Sequence, residues 1–251
     1  MTALHEIQTP DRSRSLSDAV DDSAFYGIEH QLHLVDTIGA DVRWTLDLDA
    51  GWAVFHTVRG DVRARVQVIG VCRSGLWTWG WAAPVSPQLT GLSERVHQFG
   101  LAHSMHAFAA PHHPLSGQGA IDPNLLTSGA KIIHKSWASY IFNTAPAEKV
   151  HAILYNPAWT LPEPGPVMVT DVLTHGPASL GISNLRRAVL SYSNLRGMVR
   201  QARKDRSAIR LLGDGWVVTV HFNAAGTEIT AVDAAEGPAL NPLRGRHRSD
   251  D

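Results

Sequence analysis

Three tryptophans alternate with small residues in Trp77-Thr78-Trp79-Gly80-Trp81. A two-residue period is that of a β-strand, so the spacing predicts three indoles on one face of one strand. Each indole offers roughly 150–250 Å² for burial. Such a strand either organises a core or lines a groove, and other elements must cover it. Thr78 and Gly80 leave room on the opposite face for a close-packed helix backbone.

The chain can supply that cover. Of 251 residues, 44% are hydrophobic and 18% charged, enough for one large domain or two small ones. A net charge of −1 gives no general basic field for nucleic acid, which argues against that class of partner. The single cysteine, Cys72, excludes an internal disulfide framework and any Cys-based zinc cluster, and suits a reducing, cytoplasmic setting. No run approaches the roughly 18 apolar residues of a membrane span. Residues 1–20 lack the apolar segment of a signal peptide.

The pattern along the chain predicts an α+β fold, with antiparallel sheets packed against helices. Residues 1–20 read as a disordered arm and 238–251 as a similar tail. Phe25, Ile28, Leu32, Val35 and Ile38 recur at helical steps, with Asp21, Asp22 and Ser23 as N-cap candidates. Strands follow at 44–48, 52–57, 62–71 and the Trp segment, then helices at about 89–103 and 123–135. Strands at 137–143 and 150–155 lead to residues 157–166, a Pro-rich linker that divides a unit at 21–156 from one at 167–237. The second unit reads as a strand at 167–173, a helix at 184–203 and strands at 208–212, 216–222 and 228–233. Trp52 and Trp216 each follow a glycine hairpin turn, Asp49-Ala50-Gly51 and Asp214-Gly215. That repeat suggests two related helix-plus-meander units.

The order Trp44-Thr45-Leu46, Trp52-Ala53-Val54-Phe55, Val66-Gln67-Val68-Ile69-Gly70 and Trp77-Thr78-Trp79-Gly80-Trp81-Ala82 resembles a bacterial family known only as a domain of unknown function. Its mark is a Trp-x-Trp-x-Trp-Ala strand after a Val-Gln-x-x-Gly strand. Arg95-Val96-His97-Gln98-Phe99-Gly100 is also similar, and the likeness covers about residues 22–156. Family members close the Trp strand with Asn, where this chain has Ala83. The resemblance implies an α+β fold and supplies no catalytic residues.

Three candidate sites emerge. Trp77, Trp79 and Trp81, with Trp44 across the sheet, form either core or an apolar pocket. His103, His106, His112 and His113 crowd together and include the ligand type of many metal sites, although no carboxylate lies among them. Arg196, Arg200 and Arg203 would flank one helix as a basic ridge, or simply complement its C-terminal dipole and cover its apolar stripe. No nucleophile–base–oxyanion set or phosphate loop is visible, and no cofactor is implied. The expectation is a binding or interaction protein, leaning away from an enzyme. Its partner is another protein or a small apolar ligand, with a homo-oligomer left open. One alternative is an enzyme or carrier for an apolar, acyl-type molecule in a Trp-lined pocket. The other is a nucleic-acid-associated factor using the Arg helix.

Overall fold

One helix, α1 (Leu16–Ile38), carries both halves of the fold. It begins where Ser15 Oγ accepts the Asp18 N–H at 3.0 Å, so its first turns occupy part of the expected arm. Asp21, Asp22 and Ser23 are not caps but buried mid-helix residues, because a second helix packs on them. Gly39, at φ 90°, ends α1. The computed structural model describes residues 15–178 and 181–238. Residues 1–14 and 239–251 of the expected arm and tail lie outside this range.

The first sheet has seven antiparallel strands: β1 (Arg43–Asp47), β2 (Trp52–Thr57), β3 (Gly60–Arg73), β4 (Leu76–Trp79), β5 (His112–Pro114), β6 (Ser139–Ala145) and β7 (Glu148–Tyr155). β3 is its axis. Arg65 pairs with both Trp52 and Tyr155, and Gly70 with both Trp79 and His151. One edge of β3 therefore carries β2 and then β4, and the other carries β7.

A bulge between Val68 and Gly70 leaves Ile69 without a partner on β7. Before it, Ala64, Val66 and Val68 face a cluster with Phe55, Phe142 and Leu154. After it the parity inverts: Val71 faces that cluster and Cys72 faces the opposite one, with Trp77 and Trp79. Helices α2 (Gly91–Ala102), α3 (His106–Ala109) and α4 (Pro123–His134) cover this second face.

The Trp segment is a strand only to Trp79. Gly80–Ala82 forms a 3-10 turn, so Trp81 leaves the line of indoles. Gly80 sits against the Val68 carbonyl where no Cβ would fit. Trp77 lies over Gly70, which must likewise be bare. Both Trp77 and Trp79 are 0% exposed. Burying one indole is worth on the order of 4–6 kcal/mol at about 25 cal/mol/Å².

The second sheet is a four-stranded meander, β8 (Val199–Ala202), β9 (Ala208–Gly213), β10 (Trp216–Phe222) and β11 (Ile229–Glu236). It packs on α5 (Pro166–His175), α6 (Leu185–Leu195) and the Ala24–Phe25 face of α1. The strand expected at 167–173 is α5 instead. Pro166 opens it after Gly165, and Val169, Val172 and Leu173 bury one helical stripe despite the β-branching of the two valines. The helix expected over 184–203 stops at Leu195. Met198 N–H bonds to Ser193 O and Gly197 N–H to Asn194 O, with Gly197 at φ 66°: a Schellman end that turns the chain into β8. Among the described residues no helix is long and apolar enough to cross a membrane.

Candidate functional site

Helices α1 and α4 cross with a glycine on each side. A Cβ at Gly129 would meet Leu16 and Phe108 at 3.0–3.1 Å, which sets the close approach. Asp122 caps α4 by accepting the Asn124 N–H at 2.8 Å, and Pro123 occupies its first turn. Leu126 and Ala130 point into the Trp77–Trp79 core. Thr127, Lys131 and His134, at i, i+4 and i+7, form a second stripe that is also buried.

Lys131 is the unusual member. Its stem runs beside Gly27 of α1, where an added Cβ would lie 3.5 Å from Cδ and 3.7 Å from Nζ. The residue is 6% exposed, and among the described residues its ammonium makes neither a hydrogen bond nor an ion pair. Burial alone lowers its pKa to about 8. Nearby imidazoles are held neutral. Burial, and secondly the charge of Lys131, lower His30 to about 4 and His134 to about 3.

Lys131 lines a cleft of about 490 Å³ between α1, α4 and β6–β7. Ser23, Gln31, Ser128 and Ser139 supply polar wall, while Ala24, Ile28, Leu125 and Ile141 supply apolar wall. Asp122 reaches the same cleft, already engaged as the α4 cap.

A hydrogen-bonded relay stands one turn away. Thr127 Oγ1 donates to Pro123 O at 2.9 Å, so it accepts from His151 Nδ1 at 3.1 Å. That leaves His151 Nε2 as the acceptor for the Cys72 thiol, at 3.6 Å. The β3 bulge makes this possible by turning Cys72 to the side of the sheet that His151 occupies. Desolvation pushes the thiol up to about 11 and the imidazole down to about 4, so both are neutral at pH 7. Cys72 lines a second cleft of about 480 Å³, which shares Asn124, Ile141 and His151 with the first.

All of these groups fall within residues 17–157, the segment matched by one family model, described as a family of unknown function, DUF6882. The chain belongs to that family. No curated protein and no solved structure matches it. The DUF6882 segment runs from α1 to the end of β7, so it supplies the walls of both clefts apart from Gly181 of the first, and the second sheet lies outside it.

The residues singled out from sequence are dispersed through and beyond the DUF6882 segment. Trp77 and Trp79 meet edge to face at 5.2 Å in the core. Trp79 Nε1 donates to Ala107 O at 3.1 Å. Trp81 stacks on His97 at 3.8 Å, and Trp44 packs in a different cluster against Phe142 at 5.0 Å. None of the four lines either cleft.

His113 is buried and donates from Nε2 to Ala107 O at 2.8 Å. His112 bonds to Thr78 at 3.1 Å, while His103 and His106 are exposed. Among the described residues no three His, Cys, Asp or Glu side chains are grouped to hold a metal ion.

The three arginines do not flank one helix. Arg196 is the α6 cap residue, its side chain buried against Glu29 at 3.1 Å. Arg200 lies on β8 and meets Asn194, and Arg203 lies in the turn after β8. Lys131 escaped the sequence reading because a Thr–Lys–His stripe on a helix resembles a solvated face. The available signal was Gly27 and Gly129, small residues on two helices that allow their backbones to approach.

Proposed function

We propose that this protein binds a small amphiphilic molecule in the α1–α4–β6 cleft, with an acceptor oxygen of the ligand held by Lys131. The observation that carries the reading is the buried Lys131 side chain, which lines the cleft and has no ionic or hydrogen-bonding partner among the described residues. An isolated buried charge is costly. An ammonium has three donors and no acceptor, so its complement must present oxygen. The Ala24, Ile28, Leu125 and Ile141 wall suits an apolar body. This refines the expected binding-protein role and moves the ligand away from the tryptophans. Burial of Trp77 and Trp79 favours their use as core, and dispersal of the arginines weakens the nucleic-acid reading. A cytoplasmic setting fits the lone thiol of Cys72.

Octanoate titrated by calorimetry tests the proposal, with 1-octanol as the uncharged control. Octanoate should bind the wild-type protein, and Lys131→Met should weaken it at least about tenfold, since a charge-assisted bond contributes about 1.5–3 kcal/mol. Octanol should be little affected by the substitution. Equal octanoate affinity in both proteins, or no binding to either, would overturn the assignment.

A further inference from the structure

Lys131 also has what an amine needs to react rather than only to bind. We propose that Lys131 is a nucleophilic amine that condenses with an aldehyde or ketone ligand to form an imine in the α1–α4–β6 cleft. The inference deepens the ligand-binding reading and rests on it.

The geometry comes first. Lys131 is 6% exposed and lines the cleft, and among the described residues no carboxylate, hydroxyl or carbonyl engages its Nζ. Its lone pair, once the proton is lost, is not committed to any protein donor. Gly27 leaves the flank of the side chain bare, with a Cβ there at ordinary contact distance, 3.5 Å from Cδ and 3.7 Å from Nζ. Ser23, Ser128 and Ser139 line the same space, and a hydroxyl both donates and accepts protons.

Burial supplies the reactivity. With a pKa of about 8, roughly a tenth of the amine is neutral at pH 7, against about three parts in ten thousand for an ordinary lysine. Desolvation of this kind is a recognised route to an activated lysine nucleophile. The other three lysines, Lys135, Lys149 and Lys204, are exposed.

The step balances without an oxidant or reductant. The Nζ lone pair forms a bond to the carbonyl carbon, and the C=O π pair moves to oxygen. A proton passes from nitrogen to oxygen to give the carbinolamine. A further proton from solvent on that oxygen lets it leave as water, the nitrogen lone pair forms the C=N bond, and the remaining N–H proton of the iminium returns to solvent to give the imine. The ligand keeps its oxidation level, and water reverses the reaction.

The test uses the full chain with octanal and cyanoborohydride at pH 7, the hydride serving only to trap the imine. Peptide mass mapping then locates the alkylated lysines, and competition against octanoate reports occupancy of the cleft. The structure predicts alkylation at Lys131 at least about tenfold above any of the three exposed lysines. Octanoate should suppress that adduct selectively. Lys131→Arg should retain charge and lose the cleft adduct, leaving the background on the other lysines unchanged. Octanal that displaces octanoate without a Lys131 adduct would overturn the imine while leaving the binding site intact. Failure of both octanal and octanoate to bind would overturn both.

Discussion

Helix α1 has buried charge on two flanks, and the two are treated in opposite ways. Toward α6, every charge has a partner. Glu29 meets Arg196 at 3.1 Å and accepts from Tyr192 Oη at 3.1 Å. Arg187 spans Asp22 at 2.6–2.7 Å and reaches Asp18 at 3.1 Å. Asp21 accepts from both the backbone N–H and the hydroxyl of Ser183. Toward α4, Lys131 is buried with no charged partner among the described residues. The first flank is a polar cross-link that fixes how the second sheet docks. The second keeps an unmet charge at a cleft, an arrangement that packing alone does not call for.

That contrast predicts opposite responses to removing a charge. The largest effect belongs to Arg196→Leu, which leaves the Glu29 carboxylate buried beside Tyr192 alone. Loss of one partner from a buried pair costs about 3–5 kcal/mol, so urea midpoints should fall steeply. A change under about 1 kcal/mol would mean that the cross-link is ornamental.

Lys131→Met should act with the other sign and raise stability at pH 7 by about 3 kcal/mol, the equivalent of the shift from 10.5 to about 8. Its pH dependence follows from linkage. The folded pKa lies below the unfolded one, so between about 8 and 10.5 the unfolded chain binds the extra proton. Stability of the wild-type protein therefore rises with pH across that window, and the penalty is complete below it. The gap between wild type and Lys131→Met should close by pH 10.5 in paired urea titrations. Destabilisation by Lys131→Met at pH 7 would show that the amine is compensated after all.

A finer test compares the two glycines of the α1–α4 crossing. Gly27→Ala places its Cβ at ordinary contact distance from Lys131, so the helix-propensity gain of about 0.5–1 kcal/mol should survive. Gly129→Ala meets Leu16 and Phe108 at 3.0–3.1 Å and should lose that gain to crowding. Thermal melts that move in the same direction for both would place the two helices differently.

Much of the frame was legible because periodicity reports burial against one partner. The α1 helix, the hairpin turns and the Trp strand through Trp79 all follow from it, although Leu34 rather than the expected Val35 takes the buried position on α1. Legibility failed where two partners or a turn intervened. Val167–Leu173 is rich in β-formers, yet its buried positions recur at helical steps, so tertiary packing outweighs propensity. Gly197 ends a helix whose apolar pattern continues into β8, and no local count separates those cases. The site was less legible still. Cys72 and His151 meet only because one unpaired residue, Ile69, inverts the facing of β3. Lys131 is buried because Gly129 lets α4 close against α1 over a polar stripe.

The most direct test is the titration of the lysine side chains by NMR in protein labelled with ¹³C and ¹⁵N at lysine. Four lysines keep the spectrum sparse. One resonance should titrate near 8 and vanish in Lys131→Met, while the others remain near the ordinary value of about 10.4. If all four titrate at the ordinary value, Lys131 is solvated or paired, and the cleft loses the feature that marks it as a site.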